Sequence, residues 1–232
     1  MKKLFYLIIS VVISISFTGC EKTKVVNIAT VDTFIRSIKS PADTSKTVYA
    51  VIQSAFSYNL IASVTAVAPA GETLTLTNPS KSGNSFYYTP ADSAYSVSLP
   101  TLGTYNYTVT FKNKEEITYT NVLSSSVLPP PTIISIAKSA DLDSVYITWK
   151  ALANVNAYQL KVSKGNTPVF YQPPFMDTSN PLKPILKMGF SMGTFSSTGT
   201  GVYTFNLDGM LFENSDNTYI QAVGSSYIDL SL

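Results

Sequence analysis

Alternation of apolar and polar side chains is the feature that most limits the folds open to this chain. In Tyr105–Lys112 every second side chain is aromatic or aliphatic and the others are polar, as in a strand with one buried face. No stretch beyond the first twenty residues shows a convincing helical period of 3.6 residues. Short strands separated by Pro, Gly, Asn and Ser turns therefore predict antiparallel β-sandwiches or barrels rather than βαβ units. The same alternation occurs in Val48–Ile52, Leu74–Leu76, Tyr95–Leu99, Val145–Trp149 and Tyr158–Val162.

Three consecutive prolines, Pro129–Pro131, predict a boundary between two domains. Proline has no backbone donor and favours an extended chain, so this run suits a hinge better than the interior of a sheet. The chain is also longer than the roughly 100–150 residues of the commonest single domain. We therefore expect one sandwich at residues 32–128, the proline hinge at 129–131, and a second sandwich at residues 132–232.

The first twenty residues have the composition of an export signal. Two lysines precede an uncharged apolar run, Leu4–Phe17. As a helix this run reaches about 21 Å, which falls short of the roughly 30 Å hydrocarbon core of a bilayer. The pair Thr18–Gly19 supplies the small residues that a signal peptidase needs. This pattern predicts a signal peptide at residues 1–19, followed by a tether at residues 20–31.

Cys20 is the one cysteine among the 232 residues, so the chain cannot form an internal disulfide. The tetrad Phe17-Thr18-Gly19-Cys20 resembles the bacterial lipobox, which implies acylation of Cys20 on its sulfur and on the new amino terminus. Several acyl chains together make a stable membrane anchor. Residue 21 is Glu rather than Asp, so we expect delivery to the outer membrane. The alternative is a chance cysteine beside an ordinary export signal.

The chain on either side of the prolines contains segments that look like parts of known sandwich domains. Val145–Trp149 resembles the B strand of a fibronectin type III domain with its buried tryptophan, and Ala157–Val162 resembles the C strand with its tyrosine. Asn217–Val223 is similar to the F strand. Leu102–Tyr107 resembles the corresponding immunoglobulin corner, with Tyr107 where antibody domains carry a disulfide cysteine. The resemblance implies two immunoglobulin-like (fibronectin type III-like) antiparallel β-sandwiches in tandem, an all-β fold.

The chain contains no histidine, which excludes Ser-His-Asp and Cys-His catalysis and histidine-ligated zinc. Two of the sixteen basic residues lie in the predicted signal, so fourteen basic residues balance fourteen acidic ones in the mature chain. A neutral chain without a Lys/Arg cluster disfavours nucleic-acid binding. No nucleotide-binding or hydrolase signature stands in a suitable context. We expect neither an enzyme nor a bound cofactor.

The carboxylates are scattered and stand mostly in turn-like contexts. A glycosidase needs two of them facing across a cleft, and we expect each to be a solvated turn residue instead. Asp141–Asp143 and Glu213–Asn217 contain oxygen ligands suited to calcium, but neither has EF-hand spacing and such residues usually form local turns. We therefore expect no metal site. The carboxylates considered are Glu72, Asp92, Glu115, Glu116, Asp141, Asp143, Asp177, Asp208, Glu213, Asp216 and Asp229.

Two groups of aromatic residues are the candidate ligand-binding residues. Flat rings on rigid loops can stack on sugar faces, and the alternative is that these rings cap the ends of the sandwich cores. Residues 188–201 are rich in small side chains and read either as a long loop or as an edge strand interrupted by glycine. The candidate rings are Phe86, Tyr87 and Tyr88 in the first half and Phe170, Tyr171 and Phe175 in the second.

The sequence thus predicts a non-catalytic lipoprotein of the cell envelope, bound to the membrane through Cys20. The leading hypothesis is a surface-displayed spacer or protein-interaction module that contacts another envelope protein through a sandwich face, a strand edge or an interdomain groove. The alternative is a glycan-binding lipoprotein, similar to the accessory lipoproteins encoded beside outer-membrane polysaccharide importers.

Overall fold

The computed structural model describes residues 26–79, 81–141, 143–175, 185–213 and 218–232. The predicted signal peptide, the lipobox and Cys20 lie outside these ranges, as do Asp177 and Asp216. Within the described ranges, no helix is long and apolar enough to cross a membrane.

The chain before the proline run folds as one β-sandwich. The order of strands in one layer is β1-β2-β5, and in the other it is β4-β3-β6-β7. Tyr107 lies in the core between the layers and is fully buried. Its hydroxyl donates to the carbonyl oxygen of Asp32 over 2.9 Å and shares a second hydrogen bond with the hydroxyl of Thr33. The strands are β1 (Thr30–Lys39), β2 (Thr47–Phe56), β3 (Ile61–Val67), β4 (Thr73–Leu76), β5 (Ser85–Tyr88), β6 (Gly103–Phe111) and β7 (Glu116–Leu123).

The chain after the proline run repeats this arrangement. Here the layers are β8-β9-β12 and β11-β10-β13-β14. Trp149 is 1% exposed, and its ring packs edge-on against Tyr158, with the ring centroids 5.4 Å apart. The prediction that Trp149 is a core residue is therefore confirmed. The strands are β8 (Ile133–Lys138), β9 (Ser144–Lys150), β10 (Ala157–Lys164), β11 (Thr167–Phe175), β12 (Ile185–Ser191), β13 (Val202–Phe212) and β14 (Ile220–Ser231).

The alternating patterns of the sequence correspond to strands whose apolar faces are buried between layers. In β6 all four aromatic or aliphatic side chains are buried, and the intervening side chains are at least partly exposed. The prediction of an all-β, immunoglobulin-like and fibronectin type III-like sandwich fold is confirmed.

One sheet runs through both sandwiches. The first strand, β1, pairs in parallel with the last strand, β14, with Ile35 opposite Ala222 and Ile38 opposite Ser225. The result is a seven-stranded sheet in the order β11-β10-β13-β14-β1-β2-β5. Strands that would be edges in two separate sandwiches thus lie in the middle of the joined sheet.

The proline run is packed against this junction. Leu128, Pro130 and Pro131 are buried. The hydroxyl of Ser37 on β1 donates to the Leu128 carbonyl, and that of Ser226 on β14 donates to the Pro131 carbonyl over 2.6 Å. The linker therefore crosses β1 and β14 and is hydrogen-bonded to both, while the exact boundaries of two domains stay a prediction.

Gly224 on β14 makes this approach possible. A Cβ atom at this position would come within 2.2 Å of the Pro129 carbonyl oxygen. Only a residue without a side chain lets the linker lie this close to the strand.

The F-strand assignment made from the sequence is wrong. Ile220–Ser231 is the last strand, β14, whereas the F strand of such a sandwich is the one before the last. That strand is β13, which lies between β10 and β14. The corner tyrosine is Tyr203, whose hydroxyl donates to the carbonyl of Gly199. Alternation alone cannot distinguish two adjacent strands, because both have one buried face.

Residues 188–201 combine both readings left open by the sequence. Met188 to Ser191 finish the edge strand β12, and Met192–Phe195 form a short 3-10 helix that leads into turns.

Candidate functional site

A trough crosses the outer face of the seven-stranded sheet, on the side away from the sandwich cores. It has a volume of about 350 Å³ and is lined by side chains from all seven strands. Because both edges contribute to one cavity, it runs across the strands rather than between two of them.

The floor of the trough is apolar. Phe34, Ile52, Met210 and Val223 come from four different central strands and form a buried cluster with neighbouring apolar residues. Since these side chains alternate with the ones that fill the sandwich cores, the central strands are buried on both faces. Such a floor can receive the apolar side of a ligand.

A network of charged and polar groups lies at one side of the floor. The carboxylate of Asp208 on β13 accepts a hydrogen bond from Lys161 Nζ at 3.0 Å and lies 4.0 Å from the Arg36 guanidinium. Arg36 Nε also donates to Ser225 Oγ over 2.8 Å. Asp208 is buried, whereas Lys161 is half exposed and faces the trough. A ligand in the trough would thus meet donors held in fixed positions.

Two pKa values reflect this network. Burial alone lowers the pKa of Arg36, but Asp208 and nearby tyrosines raise it, and the net shift is upward. The guanidinium therefore stays charged. Burial raises the pKa of Tyr227 to about 12, although Arg36 acts in the opposite direction. Tyr227 thus keeps its proton at neutral pH.

The structure places two of the six candidate aromatic residues in the trough. Tyr87 stands on the edge strand β5 and Tyr171 on the opposite edge strand β11, and they are 43% and 57% exposed. Gln159 Nε2 donates to the Tyr171 hydroxyl over 2.9 Å, which fixes the orientation of that side chain. The two rings therefore stand at opposite edges of one cavity.

The other four candidate rings pack elsewhere. Phe86 is buried in the first core, and Tyr88 packs partly against it. Phe170 and Phe175 pack partly against the second core, where Phe170 meets Phe190 with ring centroids 4.9 Å apart. This is the core-capping role that the sequence left open, and it leaves little of Phe86 accessible to a ligand.

Tyr88 also lines a second cavity, of about 390 Å³, at the loops of the first sandwich. Tyr49, Pro69 and Pro90 contribute to its walls, and among the described residues Glu72 is the one charged side chain that lines it. We regard the trough as the candidate site, because it combines exposed rings with an ordered charged network on regular strands.

Asp208 departs from the expectation for the carboxylates, since it is buried in the middle of the joined sheet and paired with two cations. Asp141 does form a local turn, in which its Oδ1 accepts from the Asp143 amide over 3.3 Å. Within the described ranges, no three acidic or cysteine side chains lie together as metal ligands would. Part of the second calcium candidate, residues 214–217, lies outside these ranges.

Comparisons with solved structures give likenesses at low sequence identity, two of which are described here. Fibronectin(III)-like modules of CbhA from Clostridium thermocellum align over 88% of this chain and 94% of theirs, at 10% identity and a TM-score of 0.27. Murine CEACAM1b aligns over 87% of this chain and 98% of its own, at 12% identity and a TM-score of 0.23. No family model and no curated protein matches the sequence. None of these comparisons bears on what the chain binds.

Proposed function

We propose that this chain is a non-catalytic, acylated lipoprotein of the cell envelope that binds a glycan in the trough. The observation that supports this most is that Tyr87 and Tyr171, exposed on the two edge strands, line the same cavity. Sugars present flat apolar faces that stack on aromatic rings and hydroxyl groups that need fixed hydrogen-bond partners. The trough supplies both kinds of contact.

The polar network favours a hydroxylated ligand over a purely apolar one. Lys161 is half exposed and can donate to a ligand hydroxyl, and the Tyr171 hydroxyl, which accepts from Gln159, can donate in turn. Tyr87 and Tyr171 both line this cavity of about 350 Å³, so one bound glycan can contact both rings.

The non-catalytic part of the proposal rests on the sequence. Without histidine, the usual imidazole acid–base chemistry is excluded. Asp208, the carboxylate that lines the trough, is committed to Lys161 and Arg36. The cell-envelope location rests on the lipobox resemblance alone.

Affinity electrophoresis of the mature chain through gels that contain a panel of polysaccharides tests the proposal. We expect retardation by at least one glycan, and about a tenfold loss of affinity for Tyr87→Ala or Tyr171→Ala, which corresponds to about 1.4 kcal/mol. Tyr58→Ala is the matched control, since Tyr58 is 92% exposed and does not line the trough.

Retardation by no glycan on a broad panel would remove the glycan proposal. If crosslinking in envelope fractions then recovers a defined protein through the trough residues, the protein-interaction hypothesis takes its place. Equal retardation of wild type and both trough variants would place the glycan site elsewhere.

A further inference from the structure

Five exposed apolar side chains lie at the end of the first sandwich where the described chain begins. Val26, Ile28, Phe56, Tyr58 and Leu60 are between 42% and 92% exposed. Single exposed apolar residues are ordinary, but a cluster of them indicates an interaction surface. We call these five residues the N-terminal patch.

Hydrogen bonds and ring contacts hold the N-terminal patch together. Asn59 Nδ2 donates to the carbonyl of Val26 over 2.9 Å, and the Ser57 hydroxyl donates to the carbonyl of Ile28. The rings of Phe56 and Tyr58 pack edge to face with centroids 5.2 Å apart. The segment 26–28 and the turn after β2 therefore present their apolar side chains from one corner of the molecule.

Basic side chains border the N-terminal patch. The amide of Lys112 donates to the carbonyl of Leu60 over 2.9 Å, and Lys114 follows in the same turn. Lys81 lies in the loop whose Asn84 donates to the carbonyl of Ser57 over 2.9 Å. All three lysines are exposed. The carboxylate of Glu115 accepts from Asn27 over 2.8 Å, and the exposed Glu116 follows it, so three lysines stand against two carboxylates along these turns.

We propose that the N-terminal patch lies against the bilayer surface and orients the anchored protein. The inference rests on the acylation of Cys20 in the proposed function. Cys20 is six residues before Val26, and an extended chain of that length spans at most about 22 Å. An acylated Cys20 thus keeps this corner of the sandwich close to the headgroups.

The chemistry of the corner fits a bilayer better than a second protein surface. Tyrosine and phenylalanine rings are favoured at the boundary between headgroups and acyl chains. Lysines beside them attract anionic lipids by about 1 kcal/mol each. One corner of the sandwich supplies both contacts beside the expected anchor.

Quenching by lipids with brominated acyl chains tests the contact directly. The acylated Tyr58→Trp variant is reconstituted into vesicles of phosphatidylethanolamine with a minority of phosphatidylglycerol. A side chain at this interface lies about 5–10 Å into the boundary, so we expect its emission to fall by about half. The matched control is Tyr171→Trp, at an exposed trough position. The native Trp149 is buried and contributes the same background to both variants.

A second experiment separates the patch from the anchor. Mature chain with Cys20→Ser is sedimented with the same vesicles. We expect weak binding that falls about tenfold when Phe56→Ser and Tyr58→Ser are combined, and no change when Tyr87→Ser and Tyr171→Ser are combined. In the glycan assay we expect the reverse: the Tyr87→Ser and Tyr171→Ser double variant loses affinity for the glycan, and the Phe56→Ser and Tyr58→Ser double variant keeps it.

The outcomes distinguish the two proposals. Unquenched emission from the anchored Tyr58→Trp variant, or equal quenching of the Tyr58→Trp and Tyr171→Trp variants, would overturn the membrane contact while leaving glycan binding untouched. Absence of vesicle binding by the Cys20→Ser chain would overturn it too. A loss of glycan binding without any change in vesicle binding would affect the trough alone.

Discussion

Replacement of Asp32 by asparagine should stabilise the protein at alkaline pH. Asp32 lies on β1 and is 5% exposed. Its Oδ2 accepts from the Ile220 amide over 2.7 Å, while its Oδ1 is buried without a hydrogen-bond partner among the described residues. Burial raises the pKa of Asp32 from 3.8 to about 7, and Glu213 adds to the rise, although the amides of Ile220 and Thr33 oppose it.

The sign of the effect follows from this raised pKa. Below about pH 4 the carboxyl is neutral in both the folded and the unfolded chain, and it costs nothing extra. Between about pH 4 and 7 the unfolded chain releases the proton while the folded chain keeps it, so the free energy of unfolding decreases as the pH rises. Above about pH 7 both states are ionised and the loss is constant. A rise from 3.8 to about 7 corresponds to about 4 kcal/mol.

Asparagine keeps an oxygen for the Ile220 amide and cannot ionise. It also places an amide group where Oδ1 was, and an unpaired buried donor costs about 1–3 kcal/mol. We therefore expect Asp32→Asn to raise the free energy of unfolding by about 1–3 kcal/mol at pH 8 and to lower it at pH 4.

Urea unfolding of wild type and variant at pH 4, 6 and 8 measures this difference. The contributions of all other titrating groups cancel in the comparison, and an unchanged slope against urea shows that both chains unfold alike. Asp208→Asn is the control, since Asp208 is paired with Lys161 and its loss should destabilise the protein at pH 8. A difference between Asp32→Asn and wild type that does not vary with pH would refute the reasoning.

Two further predictions concern the packing of the sandwiches. Gly224→Ala should destabilise the protein by about 3 kcal/mol in urea unfolding, because its Cβ would meet the Pro129 carbonyl at 2.2 Å. The control is Gly193→Ala, whose Cβ would meet only the Ser191 side chain at 3.4 Å and which should have little effect. Equal stability of the two variants would disprove the close approach. Tyr107→Phe should lower the thermal stability by about 1–3 kcal/mol, since it removes the hydrogen bonds to Asp32 and Thr33. Tyr105→Phe is its control, and an equal effect of both would contradict that role.

The sequence predicted which side chains fill the two sandwich cores better than how the two sandwiches are joined. Alternation in segments such as Tyr105–Phe111 reports one buried face, and that determines which side chains fill a sandwich core. In β1, however, Phe34 and Ile35 are adjacent and both buried, because the strand is covered on both faces. Adjacent buried residues are typical of a central strand, but they do not identify β14 as its neighbour.

The trough could be predicted only in part. An aromatic pair such as Tyr87 and Tyr171 attracts attention in a sequence because rings on loops and edges often bind ligands. The charged network that accompanies them joins Arg36, Lys161 and Asp208. Lys161 and Asp208 meet through the pairing of β10 with β13, and Arg36 joins them only through the parallel pairing of β1 with β14. No local pattern encodes contacts at such a distance along the chain.

Hydrogen exchange of the backbone amides of β1 and β14 tests the shared sheet most directly. If the two strands pair as described, each has a hydrogen-bonded neighbour on both sides, so the amides of residues 35–38 and 222–225 donate within the sheet whichever way they point. We therefore expect uniformly slow exchange there. The edge strands β5 and β11 should exchange faster at their outward-facing amides. If every second amide in β1 and β14 exchanged as fast as those edge amides, the two sandwiches would be separate and the trough would not exist.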